Sequence, residues 1–301
     1  NGAFVTVGAG THFVVTGSGK LINTGASVIN NSGTITVADE IKNLGTAIID
    51  NDGTINVAGD WTNSSTVTAS ASSTVGFVGG AAQAVTSGTS SPFGNVIVNN
   101  TSTGLTLADE MTVATSVTFT DGIVTTGATN VSTNILTFDT GATVASASDA
   151  SHVNGYMAKN TTSTAKFTFP SGDGTLLRAF SVTPSSTGAT TYTMAYNTDA
   201  PANRVVDGSG LDHVSNQEYW DFARSGASPA DAVIETTWLA TAGVLDYTTL
   251  EFAHFDGTTD WDMVLATPVG TNATGTLTSG APVTAFGPFT IGTTTNVNPL
   301  P

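Results

Sequence analysis

Residues 23–42, NTGASVINNSGTITVADEIK, align without a gap on residues 43–62, NLGTAIIDNDGTINVAGDWT. Asn-x-Gly opens each block and returns eight residues in, at Asn23, Asn31, Asn43 and Asn51, and Asn63-Ser-Ser65 continues the series with the glycine lost. The period is therefore 20, made of unequal steps of 8 and 12. Stretches such as TITV at 34–37 alternate polar and apolar residues with the period of two that marks a half-buried strand. Asn-x-Gly between them predicts corners of positive φ. Val28 falls on Ile48, Ile35 on Ile55, Val37 on Val57 and Ile41 on Trp61, with Val15 and Leu21 one period ahead of Ile35 and Ile41. Each set predicts an interior ladder. An antiparallel meander has no reason to keep a period of 20 from unequal halves, so the pattern predicts a parallel β-solenoid of 20-residue coils with rungs ~4.8 Å apart.

Outward from this core the repeat decays. Residues 64–92 are rich in Ser, Thr, Ala and Gly, and a looser β-rich stretch runs from Val96 to Val144, where LTLADEM at 105–111 echoes ITVADEI at 35–41. From about Lys159 longer strands with aromatics and prolines take over, at 166–169, 178–183, 191–196, 218–223, 232–238, 249–255, 261–265, 275–278 and 286–291. That spacing predicts an antiparallel, Ig-like β-sandwich. The expected organisation is a solenoid over 1–158, regular to about 62, a sandwich over 159–292 and a tail or linker over 293–301.

Hydrophobic residues, 39% of the chain, suffice for cores, while charged residues are only 10%, so Thr, Ser, Asn and Gly must furnish the surface. Seven Lys and Arg against 23 Asp and Glu give a net charge of −16, which repels phosphate backbones and anionic lipid. Nucleic-acid partners are not expected. No run approaches the ~20 apolar residues of a membrane helix, so membrane insertion is not expected either. The absence of cysteine removes disulfides, thiolate metal sites and cysteine nucleophiles. Asn1 begins without a basic, apolar leader, as expected of a mature exported chain.

Several segments resemble a known group. GTINVAGDWTN at 53–63 is similar to the solenoid repeats, and GLTL at 104–107 with SHVNG at 151–155 to the later coils, of large surface proteins that Bacteroidota-type bacteria export by the type IX secretion system. FPSGD at 169–173, EYWDFAR at 218–224 and FGPFTIG at 286–292 stand in the order such proteins show, and NPLP at 298–301 resembles the linker before their C-terminal sorting domain. The resemblance implies adhesins or extracellular fibres on the cell surface, with no catalytic role.

Candidate chemistry is sparse. His12, His152, His213 and His254 lie near no Gly-x-Ser-x-Gly elbow, and GSGK at 17–20 lacks the first glycine and the following Ser or Thr of a phosphate loop. A β-helix lyase or hydrolase acting on polysaccharide would want basic residues or carboxylates paired across a cleft. The solenoid offers only Lys20, Lys42 and Lys159, and Asp39-Glu40 and Asp109-Glu110 are sequence neighbours that read as solvated turn acids. No cofactor is expected. Calcium is the one metal considered, at Asp50 and Asp52 or at Asp256, Asp260 and Asp262, although Asp256-Gly257 reads first as a hairpin turn. Trp220, Trp238 and Trp261 read as core rather than as a groove for surface glycans.

The expected function is structural. Phe4, Val5 and Val7 open directly in strand-like sequence with no capping helix, and the polar tail ending in Val297 and Leu300 invites docking on a neighbour. The sequence predicts a filament of copies of this chain, joined head to tail by β-edge complementation, with a monomeric carbohydrate-binding adhesin as the alternative and a β-helix enzyme third.

Overall fold

The computed structural model describes residues 2–88, 92–129, 132–201, 203–206, 208 and 210–300. The chain separates into two compact units, residues 1–159 with 174–177, and residues 160–173 with 178–301. Apart from two short 3-10 turns, Ala240–Ala242 and Tyr247–Thr249, every regular element among the described residues is a strand.

The first unit is a parallel β-solenoid of about seven turns. Its first four coils each contribute three strands. One face stacks Phe4–Val7, Val28–Asn31, Ile48–Asn51 and Thr66–Ala69; a second stacks His12–Val15, Thr34–Val37, Thr54–Val57 and Thr74–Phe77; a third stacks Leu21–Asn23, Ile41–Asn43, Trp61–Asn63 and Gln83–Thr86. Ile35 pairs with Ile55, Val37 with Val57 and Ile41 with Trp61, each 20 residues apart. The two interior ladders of the second face run on through Val75, Val96 and Val117, and through Phe77, Val98 and Phe119. All ten side chains of these two ladders, from Ile35 to Val117 and from Val37 to Phe119, are buried, which is the burial that drives coil stacking.

Four details depart from the sequence expectation. Val28 and Ile48 do pair, but they face outward, Ile48 being 36% exposed; Ile29, Ile49 and Val67 fill the interior of that face. Val15 pairs with Val37, and Phe13 takes the place beside Ile35. The first coil has longer corners, which hold Gly10 and Gly17 at φ 75° and 65°, so its register cannot be read by subtracting 20. The stretch 64–92 is not an interruption: Thr66 pairs with Ile48 after a corner shortened at the lost glycine, and Thr74 pairs with Thr54 in step. Finally, LTLADEM is out of phase with ITVADEI. Ile35 lies on the second face and Ile41 on the third, whereas Leu105 lies on the third and Met111 beyond the next corner. The shared heptapeptide encodes a corner, not a coil position. After that corner one strand, Met111–Asp121, runs through two coil positions without a break, pairing its start with Leu136–Phe138 and its middle with Thr143–Ala145.

The asparagines of the repeat do more than turn the chain. Asn23, Asn43 and Asn63 are buried and point inward, and each amide hands on to the next: Asn23 Nδ2 donates to Asn43 Oδ1 and Asn43 Nδ2 to Asn63 Oδ1, both at 2.9 Å. The second hydrogen of each is also used, Asn23 Nδ2 donating to Ile48 O and Asn43 Nδ2 to Thr66 O, both at 2.8 Å. Asn63 Nδ2 then reaches Ser87 O, Ser87 Oγ reaches Asp109 Oδ1 at 3.0 Å, and the ladder ends on an acceptor. A shorter ladder joins Asn31 Nδ2 to Asn51 Oδ1 at 2.7 Å. The two glycine sets differ as well. Gly25 and Gly45 have the expected positive φ of 68° and 76°. Gly33 and Gly53 do not; a Cβ at Gly53 would sit 2.2 Å from Gly33 O, so there the missing side chain lets one coil close on the next.

The short ladder is left open at one end. Asn51 Nδ2 is buried without a partner, and its in-register neighbour in the next coil is Ala69. Ala69→Asn supplies the acceptor and should stabilise the solenoid by about 1 kcal/mol, read as a higher urea midpoint. An unchanged or lower midpoint would contradict the ladder geometry.

The second unit holds two antiparallel sheets. One orders Phe167–Phe169, Phe180–Pro184, Ala232–Trp238, Gly275–Ser279 and Ala266–Gly270. The other pairs Thr190–Asn197, Tyr219–Ser225, Gly287–Thr293, Leu250–Phe255 and Trp261–Val264 in that order, with His213–Val214 added beside Gly287–Thr293. Alternation puts Trp220 and Phe222 inward, where Phe180 of the first sheet meets them at ring distances of 6.0 and 5.2 Å. Tyr192 stacks on Phe222 at 5.6 Å. On the outer face of the second sheet Leu211, Val214, Ala253 and Trp261 form a smaller core.

Candidate functional site

Three acids of the solenoid, Glu40, Asp109 and Glu110, tie its corners. Glu40 is buried and bridges Lys20 at 2.9 Å and Lys42 at 2.8 Å, and these two lysines hold its carboxyl below the usual range. Asp109 accepts from Ser87 N and Oγ and from Gly88 N, and Glu110 accepts from Thr137 Oγ1 at 2.8 Å. They are ties between coils rather than solvated turn acids. Lys159, also buried, donates to Asp139 O and Ala142 O at 2.7 and 2.8 Å, and burial pushes its ammonium down to about 8. His152 contacts Ser148 O through Nδ1 and accepts from Gly174 N, and Leu177 N donates to Asp149; these bonds hold 174–177 to the solenoid unit.

The five aspartates considered for calcium do not form one site. Asp50 and Asp52 are exposed, and Asp50 accepts from Thr68 Oγ1. Asp256 turns its carboxylate onto its own loop, accepting from Thr258 N, Thr258 Oγ1, Thr259 N and Asp260 N, and these donors, Thr258 foremost, hold it well below the carboxylate range. This loop closes the hairpin that pairs Phe255 with Trp261, and Asp262 pairs with His254. Among the described residues no group of three or more His, Cys, Asp or Glu could hold a metal ion.

One buried charged cluster was not legible in the sequence. Tyr196 Oη donates to Glu218 Oε2 at 2.7 Å, and Arg178 Nε lies 3.5 Å from the same oxygen; all three residues are less than a tenth exposed. Burial raises Glu218, opposed by Tyr196 and Arg178, and raises the Tyr196 phenol. The cluster is pinned on every side. Arg178 N donates to Ser171 O, Arg178 O accepts from Ser171 Oγ and Trp220 Nε1, and Thr290 Oγ1 donates to Glu218 O. A raised carboxylate beside a tyrosine is the arrangement of a general acid, but neither of the two cavities described next includes any of the three. The cluster joins strands of the two sheets.

The same unit carries two cavities. An open cleft of ≈ 590 Å3 is lined in part by Arg204, His213 and Asn216. The other, of ≈ 150 Å3 and partly open, is lined by Pro201, Asn203, Tyr219, Phe255, Trp261 and Pro288. Its floor is the outer face of the second sheet, where Tyr219, Pro288, Phe255 and Trp261 come from four successive strands. Residues 203–206 cross over Trp261, whose Nε1 donates to Asn203 O at 2.7 Å and whose backbone N donates to Val205 O. Phe255 and Trp261 stand 5.5 Å apart at 45°.

The residues considered for assembly and for glycan binding fall as follows. Phe4 is 74% exposed, Val5 half-buried and Val7 buried. Val297 is exposed but Leu300 is buried, and between them Asn298 accepts from Leu245 N and Asp246 N and donates to Asp246 O. The described tail is thus held on its own unit. Trp220, Trp238 and Trp261 are at most 1% exposed and belong to the cores. No protein-family model, no curated protein and no solved structure matches the chain.

Proposed function

We propose that the chain is a structural, non-catalytic part of an extracellular bacterial surface protein, a fibre subunit or stalk exported by the type IX route, in which a rigid solenoid is joined to an Ig-like sandwich. The observation that carries this reading is the in-register stack of coils bound by asparagine ladders along its axis. Buried polar groups that must all be paired to be tolerated specify one register and resist bending. Copies join head to tail. The contact is β-edge pairing at Phe4–Val7, His12–Val15 and Leu21–Asn23, the outermost described strands of the three faces, whose coil carries Phe4, Val14 and Ile22 exposed, one on each face.

Sedimentation velocity and electron microscopy over a range of concentrations test this. The expected result is filaments or a ladder of oligomers that Thr6→Pro abolishes: Ala3 O and Val7 O accept from the second coil, so the N–H of Thr6 between them faces away from it and is the edge donor that proline removes. Monodisperse monomer at the highest attainable concentration, with calcium present or absent, would refute head-to-tail assembly.

A further inference from the structure

We infer that the cavity lined by the half-buried Phe255 and Tyr219, above the buried Trp261, binds the head of a methylated organic cation, a trimethylammonium group. Size is the first argument. At ≈ 150 Å3 the cavity is smaller than the roughly 300–1,000 Å3 that encloses a drug-sized ligand, so it takes a compact group and not a stretch of glycan.

Hydrogen bonding is the second. Apart from Tyr219 Oη, the polar side-chain groups at the wall are already engaged: Asn203 Nδ2 donates to Thr259 O, Asn203 Oδ1 accepts from Val205 N, and Trp261 Nε1 donates to Asn203 O. A sugar ring, which needs partners for each hydroxyl, would be left unsatisfied. A trimethylammonium group needs none and is drawn to aromatic faces.

Charge is the third. Among the described residues no lysine or arginine lines the cavity. Asp221 lies two residues along the strand from Tyr219 and pairs in register with Pro288 of the wall, and Asp199 lies two residues from Pro201. Both carboxylates, after burial, contribute to raising the phenol of Tyr219, which lines the cavity. An acidic rim on an aromatic slot, in a chain of net charge −16, selects a cation.

The test is calorimetric and ligand-observed NMR titration of the full chain with tetramethylammonium and choline against 3,3-dimethyl-1-butanol, the neutral isostere, at constant ionic strength. The expected result is saturable binding on the order of millimolar, about tenfold tighter for choline than for the isostere, and weakened severalfold in Asp199→Asn. Asp199 is exposed, so that variant does not put folding at stake; Phe255→Leu should remove the preference for the cation. Trimethyl-lysine amide and phosphocholine separate two sources of the group, and the acidic rim predicts that the phosphate-bearing ligand binds less well. Equal binding of choline and its neutral isostere, or no saturable binding by the folded chain, would overturn the assignment.

Discussion

Asn43→Leu should cost the solenoid about 3 kcal/mol or more, seen as a large drop in the urea midpoint of the first unit's transition. Asn43 is fully buried, donates to Asn63 Oδ1 and Thr66 O, and accepts from Asn23 Nδ2. Leucine is of similar size, so little cavity forms, but three hydrogen bonds are lost at once, to Asn23 Nδ2, Asn63 Oδ1 and Thr66 O. Each lost hydrogen bond costs about 1 kcal/mol. Replacing Asn23, Asn43 and Asn63 together by leucine removes donors and acceptors alike along the column, and should cost less than the sum of three single substitutions. Full additivity would mean that the amides act separately and not as a ladder.

The second large effect belongs to Glu218. Glu218→Leu leaves the Arg178 guanidinium buried without its counter-charge and Tyr196 Oη without its acceptor, a loss of about 3–5 kcal/mol. Arg178→Leu combined with Glu218→Leu removes both charges and should recover much of that loss. Glu218 also has a pH signature. Its folded-state pKa is raised by burial, so the native state holds a proton more tightly than the unfolded state does. The resulting stabilisation is complete below the unfolded value near pH ~4.3 and is lost as the pH rises through the folded value. Glu218→Gln, which cannot ionise, should flatten this fall in the urea midpoint of the second unit; a fall that persists in Glu218→Gln would assign it to another group.

The solenoid was legible because its information is periodic. Two coils of identical length put Ile35 over Ile55 and Val37 over Val57, and counting by 20 suffices where corners keep their length. It fails where they do not, at Val15 and again at Thr66, since a corner can gain or lose residues without disturbing the strands it joins. Asparagine was legible as a turn residue but not as a ladder. Whether Asn43 points in or out depends on the face on which its strand stacks, and the local pattern does not state that. Most strands of the second unit were legible from alternation, whereas His213–Val214 and Ala266–Gly270 were not, being respectively too short and interrupted by Pro268.

The candidate sites were less legible still. Arg178, Tyr196 and Glu218 meet across strands far apart in sequence, and no spacing rule joins them. The cavity residues share only their outward register on neighbouring strands, together with a crossing segment whose course over Trp261 depends on the fold. The aspartate clusters that looked most like sites are explained by local hydrogen bonds, as at Asp256.

The central claim, a rigid in-register stack, is tested most directly by a distance. Thr36 stacks on Asn56, Gly76, Ile97 and Thr118 in successive rungs. Four rungs of ~4.8 Å place the backbones at 36 and 118 about 19 Å apart. The chain has no cysteine, so Thr36→Cys and Thr118→Cys give clean attachment points for spin labels and pulsed dipolar spectroscopy. A single narrow distribution consistent with that backbone separation is the predicted result; a broad distribution, or one centred beyond ~35 Å, would contradict the stack.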